Sequence, residues 1–533
     1  MASSGGSDGK GLPERGNGER IQRTLIKTVI ALPLVDKLLL DEDGSAVYDV
    51  IVDAHLEFPA GRRAAREWII ETLRRLLGID VAKLGSDERF KPDKNRDQMQ
   101  YVFGRLQGSV IRELVICDAM GNGELERRGL PTKTIPKSRG PNAPVPRAVY
   151  QIWEDFEVFP LIYSSISTVK ADAGRAAFKA AGEGVVWAVV DSGVEKHPHF
   201  EHHGNLSGDV ELWHRDFTGR GAPLSDEFGH GTHVAGIIAG EIPARPGQAS
   251  NPAIVAFERV LKPGIDSDDR EVSLARVQVD AISGMAPKAK IVSLRVLDDN
   301  GRGQVSNIIA ALAHVQEINA YGRRIRIHGV NLSVGYPFEP EWFACGQSQL
   351  CVEVDRLVRS GVSVVVAAGN TGYGTVSTDA LGPRKGGIAL TINDPGNAQL
   401  ALTVGSTHRT MPHVYGVSYF SAKGPTGDGR PKPDLLAPGE KVLSCAAGKV
   451  RQKVVERLDA GSATPNYVEY SGTSMAAPHV AGCIAAFLSV KREFMGQPER
   501  VKEIFLNTAT DLGRERSFQG RGLVDLMRAI QSV

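Results

Sequence analysis

The sequence predicts an α/β protein with a doubly wound, mostly parallel sheet flanked by helices, preceded by a smaller, ferredoxin-like α+β domain. From residue 164 to 533, short and continuously apolar runs alternate with helical patterns, as is typical of parallel strands covered on both faces. In the helical segments apolar residues recur every three or four positions, and Gly361 ends one of them as a C-cap. The clearest strand-like runs span 185–190, 290–297, 325–334 and 362–368.

The chain before residue 164 has a different organisation. Residues 1–24 are rich in Gly, Ser and charge and are predicted to be a disordered tail. Residues 25–163 are predicted to form one domain in which strands and helices follow one another as in a split βαβ unit. Its strands are predicted at 46–55, 100–106 and 148–153, its helices at 65–76 and 110–115, and a long exposed loop at 119–147.

Composition excludes several classes of protein. Against 63 Lys and Arg stand 62 Asp and Glu, a net charge of +1, so no nucleic-acid surface is predicted. Five cysteines in 533 residues exclude a disulfide scaffold. Charged residues interrupt the most apolar early stretch, so no membrane span and no membrane partner are predicted. The first residues lack the pattern of a secretory signal, and a cytoplasmic location is therefore predicted.

Polar motifs follow three of the predicted strands where each ends. Asp191 directly follows the run at 185–190, Asn370 follows the run at 362–368, and Ser333-Val334-Gly335 ends a third run. Two glycine-rich motifs, GHGTHVAG at 229–236 and GTSMAAPHVAG at 472–482, begin predicted helices. Because functional groups of open parallel sheets gather at the carboxyl edge of the strands, we expect these motifs to meet there.

Asp191, His230 and Ser474 are the residue types needed for nucleophilic catalysis. A serine hydroxyl is a weak nucleophile until a base takes its proton, and that base is held in one tautomer by a third group. A serine at a helix N-terminus also lies beside free backbone N–H groups, which stabilise a developing oxyanion. Asn370 offers a second donor for the same charge.

The order of these motifs resembles that of the subtilisin-like serine peptidases, and the resemblance covers about residues 165–533. Besides DSG at 191–193 and the two glycine-rich motifs, five segments resemble family segments in the same order. They are GMAPKAKIVSLRVL at 284–297, VNLSVG at 330–335, VVVAAGN at 364–370, FSAKGPTGDGRPKPDLLAPG at 420–439 and GRGLVDLMRAI at 520–530.

This resemblance implies a serine endopeptidase that acts on protein or peptide substrates and needs no organic cofactor. It implies that His230 is the base, Asp191 its orienter and Ser474 the nucleophile. Asn370 and the Ser474 N–H would form the oxyanion hole. The residues implied to bind substrate, as the border of the specificity pocket and as partners of an added strand, are Ser333, Val334, Gly335, Ala368 and Gly369.

The first domain resembles the propeptide that often precedes the peptidase in this family. The segment AVYQIWEDFEVFPLIY at 148–163 is similar to the last strand and tail of such a propeptide. The resemblance implies that the domain aids folding and is an intramolecular inhibitor, and we expect self-cleavage within 161–165. The region is longer than a usual propeptide, so permanent retention of the domain is the alternative.

Another class of function stays open beside the enzyme. A catalytically silent peptide-binding or regulatory module, or a zymogen opened only by a partner, would keep the same fold. The presence of all three triad residue types and of Asn370 argues against silence. An esterase is disfavoured because residues 472–476 do not form its G-x-S-x-G elbow.

No metal ligands are predicted. His230 and His233 stand three apart on a predicted helix, but no third ligand accompanies them, so His233 is expected to be a buried structural residue, as is His479. Three aspartates, Asp266, Asp268 and Asp269, lack the glycine of an EF-hand loop, so a solvated loop is favoured and structural calcium stays unsupported.

Two smaller features complete the prediction. Residues 241–282 interrupt the strand–helix rhythm and are predicted to be an insertion. Cys345 and Cys351 are six positions apart, and two free thiols are favoured over a disulfide in a reducing cytosol.

Overall fold

Most of the chain is described by a computed structural model. The described residues are 29–41, 43–84, 87–95, 99–134, 145–155, 157–160, 167–220, 222–243, 251–262, 271–277, 279, 281–338, 341, 344–378, 382–458 and 462–533. The chain divides into two compact units, Met1–Phe156 and Glu157–Val533.

In the first unit the described residues form a three-stranded antiparallel sheet covered by helices. Its strands are β1 (Val47–Ala54), β2 (Tyr101–Gln107) and β3 (Val149–Glu154). Its helices are α1 (Leu32–Leu40), α2 (Gly61–Leu76), α3 (Pro92–Asn95), α4 (Gly108–Ala119) and α5 (Asn122–Arg127). Strand β1 lies between β2 and β3 and pairs antiparallel with both, so β2, α4 and β3 form a split βαβ unit.

The predicted strands and helices of this unit are all present. The prediction of a long exposed loop at 119–147 is wrong for Asn122–Arg127, which form helix α5. Leu125 of this helix is fully buried in the core of the unit, and Glu124 forms ion pairs with Arg127 and Arg128. One buried leucine and ion pairs at helical spacing therefore hold a short helix in a polar stretch. The predicted disordered tail lies outside the described residues.

The second unit is built on a parallel sheet, which contains seven strands of the described chain. The strands of this unit are β4 (Glu157–Pro160), β5 (Val186–Asp191), β6 (Arg215–Asp216), β7 (Glu241–Ile242), β8 (Ala256–Lys262), β9 (Glu271–Val277), β10 (Ile282–Ser283), β11 (Lys290–Arg295), β12 (Gly303–Gln304), β13 (Gly329–Leu332), β14 (Val334–Gly335), β15 (Ser363–Ala367), β16 (Tyr373–Thr378), β17 (Gly382–Gly387), β18 (Leu402–His408), β19 (Leu435–Glu440), β20 (Val442–Cys445) and β21 (Tyr467–Tyr470). The order across the large sheet is β19-β18-β15-β13-β5-β11-β6.

Every pairing within this sheet is parallel. Its five inner strands are buried except for one half-buried end residue in each of β5, β11 and β18. The register sets Val189 of β5 opposite Ser293 of β11 on one side and Asn331 of β13 on the other. The central strands therefore end at a common edge, where Asp191, the last residue of β5, and the residues after β13 and β15 lie. This sheet with helices on its faces confirms the predicted α/β fold class.

The described residues of the second unit also form ten α-helices. They are α6 (Ala171–Phe178), α7 (His230–Ile238), α8 (Val305–Ile318), α9 (Gln349–Arg359), α10 (Pro412–Tyr415), α11 (Gly448–Val455), α12 (Thr473–Val490), α13 (Pro498–Thr508), α14 (Arg516–Gln519) and α15 (Leu526–Gln531). Helices α7 and α12 run through the core, and every residue of α7 is buried. Gly482 permits this packing, because a Cβ there would lie 2.5 Å from the Cβ of Met285.

In length and apolar composition α12 could cross a membrane, and it is the one such helix in the described residues. In the folded protein 89% of it is buried inside the structure, which is the setting of a core helix.

Part of the predicted insertion forms a hairpin. Strands β8 and β9 pair antiparallel, and β8 also pairs in parallel with β21, which extends the smaller sheet β20-β21-β8-β9. Residues 263–270, which include the three aspartates considered for calcium, lie outside the described residues.

Candidate active site

Asp191 and His230 form a buried hydrogen-bonded pair at the carboxyl edge of the large sheet. Asp191 is the last residue of β5, His230 is the first of α7, and neither side chain is exposed to solvent. The Nδ1 of His230 lies 2.7 Å from Oδ1 of Asp191, which also accepts the backbone N–H of Ser192 at 2.7 Å. A carboxylate accepts hydrogen bonds, so this contact assigns the proton of neutral His230 to Nδ1 and leaves Nε2 as its basic nitrogen.

Glycines on both sides of His230 let its helix begin against the Asp191 loop. Gly229 adopts φ +93°, a conformation that favours glycine, and a Cβ there would overlap the carbonyl of Ala447. A Cβ on Gly231 would overlap the carbonyl oxygen of Gly193 and lie 3.0 Å from the Cβ of Asp191. The close approach of β5 and α7 therefore depends on the G-H-G sequence.

The buried carboxylate of Asp226 connects these two elements and was not among the predicted site residues. Its Oδ1 accepts the Ser192 hydroxyl at 2.8 Å and the Gly229 N–H at 2.7 Å. Its Oδ2 accepts the N–H and the hydroxyl of Thr232 at 2.8 and 2.7 Å. Burial raises the pKa of Asp226, whereas these four hydrogen bonds favour its charged form.

A sequence signal for Asp226 does exist. An aspartate shortly before a helix start is a common partner for the free N–H groups of the first turn. Asp226 lies four residues before His230 and accepts the N–H of Thr232 in the first turn and that of Gly229 directly before the helix.

Ser474 lies in the first turn of α12, fully buried, and is bound to the segment that follows β13. Its hydroxyl donates to the carbonyl oxygen of Ser333 at 3.0 Å, and the Ser333 hydroxyl donates to the carbonyl of Ser474 at 2.7 Å. A hydroxyl has one proton to donate, so the proton of Ser474 must turn away from Ser333 before a base can take it. These contacts bring the nucleophile candidate to the end of β13, which pairs with β5, the strand of Asp191.

Asn370, three residues after β15, is held against the start of α12. Its Oδ1 accepts the backbone N–H of Thr473 at 2.9 Å and the Thr473 hydroxyl at 3.1 Å. The Thr473 hydroxyl in turn accepts the N–H of Gly369 at 3.1 Å. With Oδ1 engaged, the NH₂ group is the end of Asn370 that remains for a ligand. Thr473, which was not predicted, orients this amide.

The segments predicted to bind substrate border an extended strand of the same unit. Strand β4 lies between β12 and β14 and pairs antiparallel with both. Pro160 lies opposite Val334 and Phe159 opposite Gly335, whereas Val158 lies opposite Gly303. The backbone beside Ser474 is therefore arranged to bind an extended chain.

The residues next to these strands are closely packed. A Cβ on Gly335 would lie 2.5 Å from the carbonyl oxygen of Asp394, and one on Gly369 would lie 2.8 Å from Cγ of Asn393. Ala368 is fully buried and donates its N–H to the carbonyl of Val404. Neither glycine therefore has room for a side chain.

The other histidines of the two motifs are buried and bind carbonyl oxygens. His233 contacts the carbonyl of Val468 through Nε2 at 3.1 Å, and His479 contacts that of Met475 through Nδ1 at 2.7 Å. Burial lowers the pKa of each to about 3, so both are neutral near neutral pH. Both histidines are therefore buried structural residues, as the sequence predicts.

All five cysteines are free, as was favoured for Cys345 and Cys351. Cys351 is buried in α9, and burial raises the pKa of its thiol. Buried, protonated thiols of this kind are poor nucleophiles.

Fold, motifs and site together define a member of a known enzyme family. Residues 182–523 match the profile of the subtilase family, and the chain belongs to that family. It is 27% identical over 360 residues to serine protease AprX and 28% identical over 351 residues to subtilisin E, both of Bacillus subtilis. Each match covers 66% of this chain and 66% of the relative, so the chain spans about two thirds of the length of these proteins. It is also 28% identical over 381 residues to the alkaline protease of Alkalihalobacillus alcalophilus, which covers 71% of this chain and 73% of that protein.

Proposed function

We propose that this protein is a serine endopeptidase that hydrolyses peptide bonds through an acyl-enzyme on Ser474. The observation that carries the proposal is the 2.7 Å contact between the buried side chains of Asp191 and His230. The hydroxyl of Ser474 lies at the end of the neighbouring strand β13. Membership of the subtilase family supports the same reaction.

In the proposed reaction, Nε2 of His230 takes the Ser474 proton as Oγ attacks the substrate carbonyl carbon. Asp191 keeps the imidazole oriented and stabilises the imidazolium that forms. His230 then donates this proton to the leaving amine, which breaks the peptide bond. His230 then takes a proton from a water molecule that attacks the acyl carbon, and it returns this proton to Oγ of Ser474 as the ester bond breaks and the product acid is released.

The negative charge on the substrate oxygen is stabilised by two donors, the Ser474 N–H and the NH₂ group of Asn370. Thr473 holds Asn370 so that this NH₂ group is presented, and the donors therefore need little reorganisation during the reaction. Loss of one oxyanion donor typically costs about 3–4 kcal/mol of transition-state stabilisation.

The substrate is an extended peptide that pairs with β12 and β14. Strand β4 supports this proposal, because it makes the same backbone pairing with Gly303–Gln304 and Val334–Gly335. Recognition of this kind reads mainly the backbone, so many sequences are accepted and side-chain pockets select among them.

The same strand supports synthesis as a self-inhibited precursor. Strand β4 directly follows the first unit in the chain, and while it is paired between β12 and β14 no substrate can take its place. Self-cleavage is proposed within 161–165, which lies outside the described residues. N-terminal sequencing of the purified protein tests this window, and a first residue far from it contradicts the proposal. The cytoplasmic location stays a prediction.

A fluorophosphonate probe tests the proposed enzyme, because it reacts only with an activated serine. The wild-type protein should be labelled at Ser474, and Ser474→Ala should not be labelled at all. Asn370→Ala is the matched control, since it keeps the nucleophile and should be labelled more slowly. A folded protein that is not labelled even after removal of the residues before 166 would favour the alternative, a catalytically silent peptide-binding module.

A further inference from the structure

Two histidines and a glutamate converge at a surface site in the second unit that the proposed reaction does not use. His202 and His203 lie in the turn after Phe200, and Glu241 begins β7. The Nε2 of His203 lies 2.7 Å from Oε1 of Glu241, and the Nε2 of His202 lies 3.7 Å from the same oxygen. Among the described residues, this is the one group of three His, Cys, Asp or Glu side chains whose possible ligand atoms all lie within 4.8 Å of one another.

We propose that His202, His203 and Glu241 bind one divalent transition-metal ion of the Zn²⁺ or Co²⁺ class. Zn–N and Zn–O bonds of about 2.0–2.2 Å at tetrahedral angles separate ligand atoms by roughly 3.3 Å. The two nitrogen–oxygen distances lie on either side of this value, so small side-chain rotations complete the geometry. Two imidazoles with one carboxylate favour such ions over Ca²⁺ and Mg²⁺, which prefer oxygen ligands.

The second oxygen of Glu241 is already oriented by a neighbouring cation. The Nη1 of Arg175 lies 3.5 Å from Oε2, and the Nη2 of Arg175 donates to Ser283 and to the carbonyl of Gly284, each at 3.1 Å. Arg175 is therefore fixed by other contacts and leaves Oε1 directed at the histidines. Outer contacts of this kind fix ligand orientation in metal sites.

Hydrogen bonds of the residues that follow the two histidines also fix their turn. Lys290 donates to the carbonyl of Gly204 at 2.6 Å, and the Nδ2 of Asn205 donates to Pro287 and Ala289, each at 2.7 Å. The His202 side chain is 50% exposed, so an ion has a path from solvent. Three protein ligands leave a coordination position for water.

Metal binding would join this turn to β7, which follows the helix of His230. An ion that binds only the folded chain raises its stability, and the rise grows with ion concentration. The ion is thus a structural cross-link near the catalytic helix and takes no part in peptide-bond cleavage. Its binding is independent of whether Ser474 is reactive.

Calorimetric titration of the metal-free Ser474→Ala chain tests this proposal, because this variant cannot digest itself. Addition of ZnCl₂ or CoCl₂ should show one saturable site, raise the melting temperature, and give Co²⁺ the intense visible absorption of low-coordinate sites. His203→Asn and Glu241→Gln should each weaken metal binding by a factor of at least about ten. The half-exposed His202 provides a further variant, His202→Asn, which should fold normally and also bind weakly.

The matched control is His413→Asn, which removes an exposed histidine of α10 and should leave binding unchanged. Absence of saturable binding would overturn the proposal, and so would an affinity that the His202, His203 and Glu241 variants share with the Ser474→Ala parent. A melting temperature raised by CaCl₂ and not by ZnCl₂ would also overturn it, because that result indicates an oxygen-ligand site.

Discussion

The carboxylate of Asp226 accepts a hydrogen bond at 2.8 Å from the hydroxyl of Ser192, the residue that directly follows the candidate catalytic aspartate Asp191. The same carboxylate accepts the N–H groups of Gly229 and Thr232, which flank His230. The Ser192 hydroxyl then accepts the N–H of Gly231 at 2.9 Å. One buried carboxylate thus links the loop of Asp191 to the first turn of the histidine helix.

Replacing this carboxylate by an amide should uncouple the two elements. In Asp226→Asn one oxygen becomes an NH₂ group that faces two donors, so two hydrogen bonds are lost. We expect a lower kcat with little change in KM, and a loss of about 1–3 kcal/mol in the free energy of unfolding for each donor left unsatisfied. Peptide hydrolysis and urea unfolding measure the two effects, the latter in the Ser474→Ala background.

The exposed Asp209 provides the control variant Asp209→Asn, which should change neither quantity. An Asp226→Asn enzyme with lower stability and an unaltered kcat would show that Asp226 stabilises the fold but does not position His230 for catalysis.

Asp226 also marks where prediction from sequence ends. The glycine-rich motif that contains His230 begins at Gly229, so Asp226 lies outside it. The link from Asp226 back to Ser192 joins residues 34 positions apart and depends on how β5 and α7 pack. The direction of the Ser474 hydroxyl is a side-chain rotamer and could not be predicted either.

The fold was predicted best where local pattern and tertiary environment agree. The buried strands β5, β11, β13 and β15 are short apolar runs, and all were predicted. Strands β18 and β19, LTVGSTH and LLAPGE, were not singled out because Gly, Ser, Thr and Pro interrupt their apolar character. The position of β4 depends on pairing with distant β12 and β14, which no local pattern encodes.

Gly231 should tolerate no side chain. In Gly231→Ala the new Cβ overlaps the carbonyl of Gly193 and must push the helix start away from Asp191. We expect a lower melting temperature together with slower fluorophosphonate labelling, because the Asp191–His230 contact lengthens. Gly386→Ala is the matched control, since a Cβ there has no neighbour within 4 Å. Normal labelling of a Gly231→Ala protein would show that this close approach is not required.

Stability should fall on acidification through buried neutral histidines. Burial lowers the pKa of His199, His233 and His479 to about 3 and that of His197 to about 4, from an ordinary value of 6.5. Between these folded-state pKa values and 6.5, the unfolded chain therefore binds more protons than the folded chain, and the free energy of unfolding rises with pH. The stabilisation is fully present above about pH 6.5 and is lost as the pH falls toward the folded-state pKa values.

His479→Gln isolates one of these groups. Between about pH 4.5 and 6, the slope of unfolding free energy against pH should decrease by about 1.4 kcal/mol per pH unit, which corresponds to one proton. Urea unfolding of the Ser474→Ala protein with and without this change measures the slope. His413→Gln, at an exposed site, should leave the slope as it was, and an unchanged slope in His479→Gln would mean that His479 is not buried in its neutral form.

The Thr473 hydroxyl should matter for catalysis only through Asn370. It donates to Oδ1 of Asn370 and accepts the N–H of Gly369, while the backbone N–H of Thr473 also holds the amide. Asn370→Ala removes an oxyanion donor and should lower kcat by about 10²–10³. Thr473→Val leaves the backbone contact in place, so its effect on kcat should be smaller than that of Asn370→Ala. Once Asn370 is absent the hydroxyl has no amide to orient, so the double variant should be no slower than Asn370→Ala alone. Steady-state kinetics of the four proteins form a double-mutant cycle, and additive losses would place the role of Thr473 elsewhere.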